Sequence, residues 1–110
     1  MNRISSITAK QMFDPFPDVS YLESEGFQGR RQQYDNGDFS FIGIQAEAEI
    51  IVSGVCQTIT SGGLWGIESD STPDYLSEIE QEEIEQLQEI LQALGFPSEV
   101  ISEHLQRSTL

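Results

Sequence analysis

Basic residues are missing from most of this 110-residue sequence. Between Gln32 and Gln106 there are fifteen carboxylates and no lysine or arginine, and the formal net charge is −14. The five basic residues all lie outside that stretch: Arg3, Lys10, Arg30, Arg31 and Arg107. A surface of one sign repels itself and weakens the compact state, so soluble proteins normally intersperse both signs. The pattern therefore indicates a role beyond solubility, and it disfavours direct binding to nucleic acid or to anionic membranes.

Cysteine, histidine and long apolar runs are also scarce. Cys56 is the only cysteine, which excludes an internal disulfide, and His104 is the only histidine. The sequence shows no charged segment followed by an apolar run and no stretch of about 18 apolar residues, so we expect neither a leader nor a membrane span. A cytoplasmic location is the simplest expectation. Apolar residues make up 37% of the chain, which is enough for one small folded domain spanning residues 1–110.

No pattern in the sequence points to catalysis or to a bound metal. Nothing places Cys56 beside His104, so we do not expect nucleophilic catalysis. The segment Asp35–Asp38 lacks the ligand spacing of a calcium loop, and the acidic residues just before the long helix are better explained by helix capping than by a cation site. The glycines at 62 and 63 match no nucleotide-binding motif. We therefore expect a non-enzymatic protein without a cofactor or a metal.

Residues 27–68 carry the signals of an antiparallel sheet, preceded by an arm or irregular segment over 1–26, where residues 1–13 form a strand or an arm. Asn36-Gly37 is typical of a two-residue hairpin turn and predicts strands over 27–34 and 39–52. Alternation in the second strand predicts one core face, made of Ile42, Ile44, Ala46, Ala48, Ile50 and Val52. A turn at Ser53-Gly54 predicts a third strand to Thr60, with Val52 opposite Val55. The glycine-rich segment 61–68 is expected as a bulged edge strand or a loop against the sheet.

The strongest signal is a helix over residues 73–94. Ser71 or Thr72 supplies the N-cap, Pro73 takes the first helical position, and Gly95 marks the end. Apolar residues form one stripe that should lie on the sheet: Leu76, Ile79, Ile84, Leu87, Ile90, Leu91 and Leu94. A short helix over 98–106 follows. The predicted fold class is α+β: a three- or four-stranded antiparallel sheet packed on one face by the long helix, plus a short tail helix.

Two carboxylates interrupt the apolar stripe of this helix. Glu80 and Glu83 fall between its leucines and isoleucines, where a charge is costly unless it is paired or solvated. Three interpretations stay open from the sequence: the first turns of the helix overhang the sheet, an ion pair forms with Arg30 or Arg31, or these residues contact a partner.

The acidic face of the helix approaches the charge density of DNA. The helix carries seven carboxylates over about 31 Å, one per ~4.5 Å, whereas each strand of B-DNA carries one phosphate per ~3.4 Å. A nucleic-acid-binding protein with a basic groove is therefore the expected partner. The candidate partner-binding residues are Glu78, Glu82, Glu85, Glu89, Asp74, Glu47, Glu49, Glu68, Asp70 and Trp65.

Three segments resemble a family of small, uncharacterised acidic proteins of bacteriophages and mobile elements. They are FIGIQAEA (41–48), TITSGGLWGIESDS (58–71) and the glutamate-rich helix ending in Leu94-Gly95-Phe96, with DPFPDVSYL (14–22) similar to an upstream segment. The string SGGLWGIESDS is the most specific part. The resemblance implies a provenance and no activity. Small acidic phage proteins include anti-CRISPR and anti-restriction inhibitors that mimic DNA, which makes such an inhibitor the favoured hypothesis.

A second hypothesis is a structural or adaptor protein, with a homodimer as one form of it. It would use an apolar surface around Trp65 together with Phe39, Phe41 and Ile51, which alternation places on the outward face of the sheet. Trp65 itself is either a core residue or an exposed anchor for a partner. Binding through this surface should survive high salt, whereas binding through the acidic helix should not.

Overall fold

The computed structural model describes residues 2–24 and 26–108, except for the side chains of residues 28 and 106–108. In these residues, four strands and three helices follow one another. They are β1 (Arg3–Phe13), α1 (Gln28–Asp35), β2 (Phe41–Val52), β3 (Val55–Thr60), β4 (Leu64–Glu68), α2 (Pro73–Ala93) and α3 (Ser98–Ser108), with one 3-10 turn at Ser20–Glu23. This is the predicted α+β fold, a four-stranded antiparallel sheet packed against a long helix, plus a short tail helix.

β2 is the central strand of the sheet. β1 pairs with one edge of β2 along nearly its whole length, and the other edge pairs first with β4 and then with β3. The predicted hairpin register is confirmed, because Val52 lies opposite Val55 and Ala48 lies opposite Ile59. Ser53 and Gly54 both have positive φ in the turn. β4 is the predicted bulged edge strand, with a register shift between Ile42 and Ile44 of β2.

The N-terminal residues form a full strand rather than an arm. β1 alternates in burial, with Ile4 and Ile7 directed into the core opposite Ile50 and Ala48. A bulge at residue 5 interrupts the register near the start of the strand. Of the two forms expected for residues 1–13, a strand or an arm, the structure has the strand, which is stabilised by pairing with β2 along nearly its whole length.

The predicted strand over 27–34 is wrong, since this segment forms α1. Asn36-Gly37 ends that helix instead of closing a hairpin. Asn36 keeps a helical φ of −80° and only Gly37 has a positive φ, of 80°, whereas the hairpin turn needs positive φ at both positions. The amide of Gly37 bonds the carbonyl of Tyr34, and the amide of Asp38 bonds that of Gln33, as in a Schellman cap.

The long helix has the predicted limits. The Thr72 hydroxyl accepts a hydrogen bond from the Tyr75 amide at 3.3 Å, Pro73 begins the helix, and Gly95 has a φ of 102°. The Phe96 amide bonds the Leu91 carbonyl at 3.0 Å, which gives α2 the same type of C-terminal cap as α1. The last residue of the predicted stripe, Leu94, is the C-cap and is exposed instead of packed on the sheet.

The hydrophobic side chains lie on both faces of the sheet. On the face predicted as the core, α2 and α3 cover the sheet, and Ile44, Ala46, Ala48 and Ile50 are all buried there. The opposite face carries a second cluster at one end, where Leu22, Phe39 and Phe41 are buried under the 3-10 turn and α1. Phe39 and Phe41 are 5% and 1% exposed, so they do not form the outward surface that strand alternation alone predicted.

Candidate functional site

Five exposed carboxylates form a single row along the outer side of α2. We call this row the acidic ridge; it consists of Asp74, Glu78, Glu82, Glu85 and Glu89. The spacing of four, four, three and four residues places each side chain above the previous one on the helix surface. At 1.5 Å per residue the row is about 22 Å long, with one carboxylate per ~6 Å. The ridge is therefore continuous, but its charge is sparser than that of one DNA strand.

No cation compensates the acidic ridge among the described side chains. None of its five carboxylates takes part in an ion pair or a side-chain hydrogen bond there. The last turn of α2 also lacks a basic residue, so the partial negative charge of the helix C-terminus adds to the same field. Arg107, whose side chain lies outside the described part of the chain, is the remaining basic residue of this half. The predicted one-sign surface thus survives folding along α2.

Glu83 does not belong to this surface. It is 4% exposed, and its Oε1 accepts hydrogen bonds from the Ser61 hydroxyl at 2.7 Å and from the Gly63 amide at 2.8 Å. Ser61 Oγ in turn accepts from the Ala46 amide at 2.9 Å. The carboxylate therefore fixes residues 61–63, which connect β3 to β4, to α2. Both the overhang and the ion pair with Arg30 or Arg31 are wrong for Glu83, because neutral donors from a glycine-rich loop satisfy the buried charge.

Glu80 is half-buried beside the apolar stripe and contacts β1. Its Oε1 accepts a hydrogen bond from the Gln11 amide group at 3.2 Å. It forms no ion pair with Arg30 or Arg31, whose guanidinium groups are bound elsewhere. Of the seven carboxylates on α2, five therefore remain on the outer surface, which explains why the ridge is less densely charged than the sequence predicted.

Arg30 neutralises the two predicted site residues that precede α2. Its guanidinium forms two hydrogen bonds of 2.9 Å with the Asp70 carboxylate and one of 2.5 Å with Glu68. The same group lies 3.8 Å from the centroid of the Phe39 ring, over the aromatic cluster. Tyr21 donates a further hydrogen bond of 2.5 Å to Glu68. Glu68 and Asp70 thus hold α1 and the 3-10 turn against the β4–α2 connection, and they do not extend the ridge.

The ionisation of this cluster follows from its contacts. Hydrogen bonds from the Arg30 guanidinium hold the pKa of Asp70 below its usual value. Partial burial, reinforced by the hydrogen bond to the Glu68 carboxylate, raises the pKa of Tyr21 from 10.0 to about 12. Hydrogen bonds to Asp70 are the main cause of the raised pKa of Arg30. At neutral pH Arg30 is therefore a cation, Asp70 an anion and Tyr21 a neutral phenol.

Glu47 and Glu49 lie on the other face of the sheet from α2. Strand alternation places both on the side of β2 that faces away from the helices, and Glu47 forms an ion pair with Lys10 of β1. Glu49 is exposed beside Thr58 of β3. A flat partner that covers the acidic ridge cannot contact these two residues at the same time. The structure therefore separates the predicted site into the ridge, the Arg30 cluster and the open sheet face.

Trp65 combines the two roles that the sequence left open. One face of its indole lies directly on the backbone of Gly43, where an added Cβ would come within 2.2 Å of the Trp65 ring. The residue is nevertheless 46% exposed, beside the exposed side chains of Leu64 and Tyr75, in a shallow cavity of about 360 Å³. Gly43 on the strand is the sequence feature that makes this contact feasible, since any side chain there would displace the ring.

Comparison of the chain with protein-family models, with curated proteins and with solved structures finds no match. The resemblance to phage proteins therefore stays a prediction. Within residues 2–24 and 26–108, no group of three or more histidine, cysteine, aspartate or glutamate side chains is arranged to hold a metal ion. Among the helices of that same part of the chain, none has the length and apolar character needed to cross a membrane. The candidate site therefore depends on geometry and charge alone.

Proposed function

We propose that this chain is a non-enzymatic inhibitor that binds the basic groove of a nucleic-acid-binding protein through the acidic ridge. The partner class favoured by the sequence resemblance is a host defence complex of the CRISPR or restriction type, acting in the cytoplasm. The observation that carries the proposal is the continuous row of five exposed carboxylates, which form no ion pair with any of the side chains that the structure describes. A groove that binds phosphates by releasing counterions can bind such a row in the same way.

The location of the ridge supports binding by a rigid surface. The apolar side of α2 is anchored to the sheet through Ile79, Leu87 and Leu91, which are all buried. Glu83 adds a second anchor between the helix and the β3–β4 segment. Because the backbone of the ridge is fixed before binding, a partner does not have to order it, and less conformational entropy is lost on association.

The self-repulsion of the ridge supports the same conclusion. Four neighbouring pairs of ridge carboxylates stand three or four residues apart, and like charges at this spacing destabilise a helix by about 0.2–0.5 kcal/mol each. Folding alone would be better served by glutamines or by intervening lysines. A binding function gives a physical reason for keeping this arrangement, because a cationic groove removes the repulsion.

Displacement of DNA tests the proposal directly. A fluorescent duplex is bound to purified CRISPR effector or restriction complexes, and the protein is added while anisotropy reports release of the duplex. We expect the wild-type chain to release DNA from at least one complex, and the variant Glu78→Gln/Glu82→Gln/Glu85→Gln/Glu89→Gln to need at least about tenfold more protein. Release by the variant at wild-type concentrations would refute the charge mechanism, and no release from any complex would refute this target class.

The alternative function is an adaptor with an apolar surface, and the structure leaves fewer exposed apolar residues for that surface than the sequence predicted. Phe39 and Phe41 belong to the buried aromatic cluster and are lost to this surface. Trp65, its exposed neighbours Leu64 and Tyr75, and the partly exposed Ile51 remain for it. In the displacement assay Trp65→Ala separates the two hypotheses. Loss of activity in Trp65→Ala, with the four-glutamine variant unaffected, would favour the adaptor surface over the ridge.

A further inference from the structure

We infer that the outer edge of β3 is a self-association site, at which β3 of a second copy of this chain pairs antiparallel to form one continuous sheet. β3 pairs with β2 along one edge only, and no other described strand occupies its outer edge. Five of its six residues are exposed: Val55, Cys56, Gln57, Thr58 and Thr60. An open edge presents unpaired amides and carbonyls, which form a template for another strand.

The composition of β3 favours pairing instead of preventing it. Natural proteins protect open edges with charges, proline, bulges or a covering element, and β3, with the sequence VCQTIT, contains no charge and no proline. The other outer strand of the sheet has such protection. β1 carries Arg3 and Lys10, has a bulge near Ile4, and is packed against α3. The edge of the sheet at β1 is therefore protected against pairing with another strand, whereas the edge at β3 is not.

The distribution of charge indicates that the occupant of this edge is a second copy. The eighteen residues 50–67 form the longest stretch of the chain without a charged side chain, and β3 lies inside it. A basic partner would gain from carboxylates placed at its contact. A partner that is itself as acidic as this chain gains instead from their absence. An edge free of carboxylates in a chain with a net charge of −14 thus fits a like-charged partner.

The strand geometry allows a two-fold register without a collision of charges. With the axis at Gln57, Val55 lies opposite Ile59 of the second copy on the core face, and Cys56 lies opposite Thr58 of the second copy on the other face. The nearest carboxylate of β2, Glu49, would be three strand spacings from its equivalent, about 14 Å, which exceeds the screening length of physiological salt. α2 packs over β2 and β1, away from this edge.

The size and shape of the chain leave surface for such a contact. Its accessible surface is 7086 Å², against about 6100 Å² expected for a compact monomer of 12.3 kDa. Its radius of gyration is 17.3 Å, whereas about 13 Å is expected for a compact domain of this length. The excess surface of about 1000 Å² has the size of one side of a standard interface.

Mass measurement by light scattering tests the inference. As concentration rises, the wild-type mass should increase from 12.3 kDa to twice that value, and added salt should favour the dimer because it screens the net charge. Gln57→Glu places two carboxylates opposite each other at the axis and should weaken association at least about tenfold. Ser77→Glu adds the same charge at an exposed residue of α2 that lies beside β1, at the opposite edge of the sheet from β3, and should behave as wild type. A wild-type chain that stays monomeric, or Gln57→Glu that dimerises normally, would overturn the inference.

Disulfide formation tests the register independently of any loss of folding. Cα atoms of paired antiparallel residues lie about 4.5–5.5 Å apart, within the range of a disulfide. In a Cys56→Ser background, Gln57→Cys should therefore oxidise rapidly to a covalent dimer, and Ser77→Cys should not. Equal rates of crosslinking in the two variants would contradict pairing at Gln57. If Trp65→Ala is monomeric and Gln57→Glu still dimerises, self-association takes place through the apolar surface around Trp65. That result would refute pairing at the β3 edge.

Discussion

The Glu83 carboxylate accepts a hydrogen bond from the Ser61 hydroxyl at 2.7 Å, and it does so inside the apolar stripe of α2. Together with the Gly63 amide, this contact fixes the segment between β3 and β4. The carboxylate that most disturbs the helix pattern is therefore part of the core structure. The five carboxylates that follow the pattern form the candidate binding surface.

Removal of the Glu83 carboxylate should destabilise the fold strongly. Glu83→Ala leaves the Ser61 hydroxyl and the Gly63 amide without their acceptor, and we expect a loss of about 2–3 kcal/mol in the free energy of unfolding. The neighbouring ridge residue Glu82 is exposed, so Glu82→Ala should change this free energy by less than about 0.5 kcal/mol. Urea unfolding measures both. Equal stability of the two variants would show that the buried hydrogen bonds contribute little.

Neutralisation of the acidic ridge should stabilise the isolated protein. In Glu78→Gln/Glu82→Gln/Glu85→Gln/Glu89→Gln all four like-charge pairs of the ridge disappear, and we expect a gain of about 1 kcal/mol at low salt, which raises Tm by about 4 °C or more. Added salt screens the same repulsion, so the difference from wild type should shrink as salt rises. Thermal unfolding at low and high salt provides the measurement. A variant less stable than wild type at low salt would mean that the ridge carboxylates have stabilising partners.

A side chain at Gly43 should displace Trp65. Gly43→Ala places a Cβ within 2.2 Å of the indole, so the ring has to leave the sheet, and we expect red-shifted tryptophan fluorescence and a lower Tm. Gly62→Ala is the matched control, because its nearest heavy atom is Gln86 Oε1 at 3.7 Å, an ordinary contact distance. Its emission should resemble that of wild type. Unchanged emission in Gly43→Ala would contradict the packing of the ring on the strand.

Tyr21 should ionise late in an alkaline titration. Its pKa in the folded chain, about 12, exceeds the value of 10.0 for an unperturbed tyrosine. Because the folded pKa is the higher one, the contribution of Tyr21 to stability is complete below pH 10 and is lost as the pH rises towards 12. Tyrosinate absorbance should show a last step near pH 12 that is missing in Tyr21→Phe and shifted to lower pH in Glu68→Gln. A titration of Tyr21→Phe that keeps this step would assign it to another residue.

The parts of the fold that local patterns determine were predictable. The register of β2 with β3 follows from alternation and a tight turn, and the limits of α2 follow from Thr72, Pro73 and Gly95. The ridge residues lie on one side of α2 because of the helical period, so the surface that carries the proposed function could be predicted from the sequence. No knowledge of the sheet was needed for it.

The errors concern choices that tertiary contacts decide. A glycine with positive φ fits both a hairpin turn and a helix C-terminus, so Gly37 did not distinguish a strand from α1. Arg30 and Asp70 form an ion pair although they are distant in sequence, and no local sequence pattern predicts this contact. The burial of Phe41 depends on the 3-10 turn and α1, which cover a face of the sheet that alternation alone leaves open.

The salt dependence of partner binding tests the central claim most directly. For a complex from which the chain displaces DNA, the association constant is measured over a range of salt for wild type, for Glu82→Gln/Glu85→Gln on the ridge, and for the control Asp38→Asn/Glu99→Gln. The control changes two exposed carboxylates that lie outside α2 and leaves the same net charge. We predict that only the ridge variant binds more weakly, with a slope of log K against log salt reduced by about 1–2. Equal losses in both double variants, or a loss in neither, would contradict a specific role for the acidic ridge.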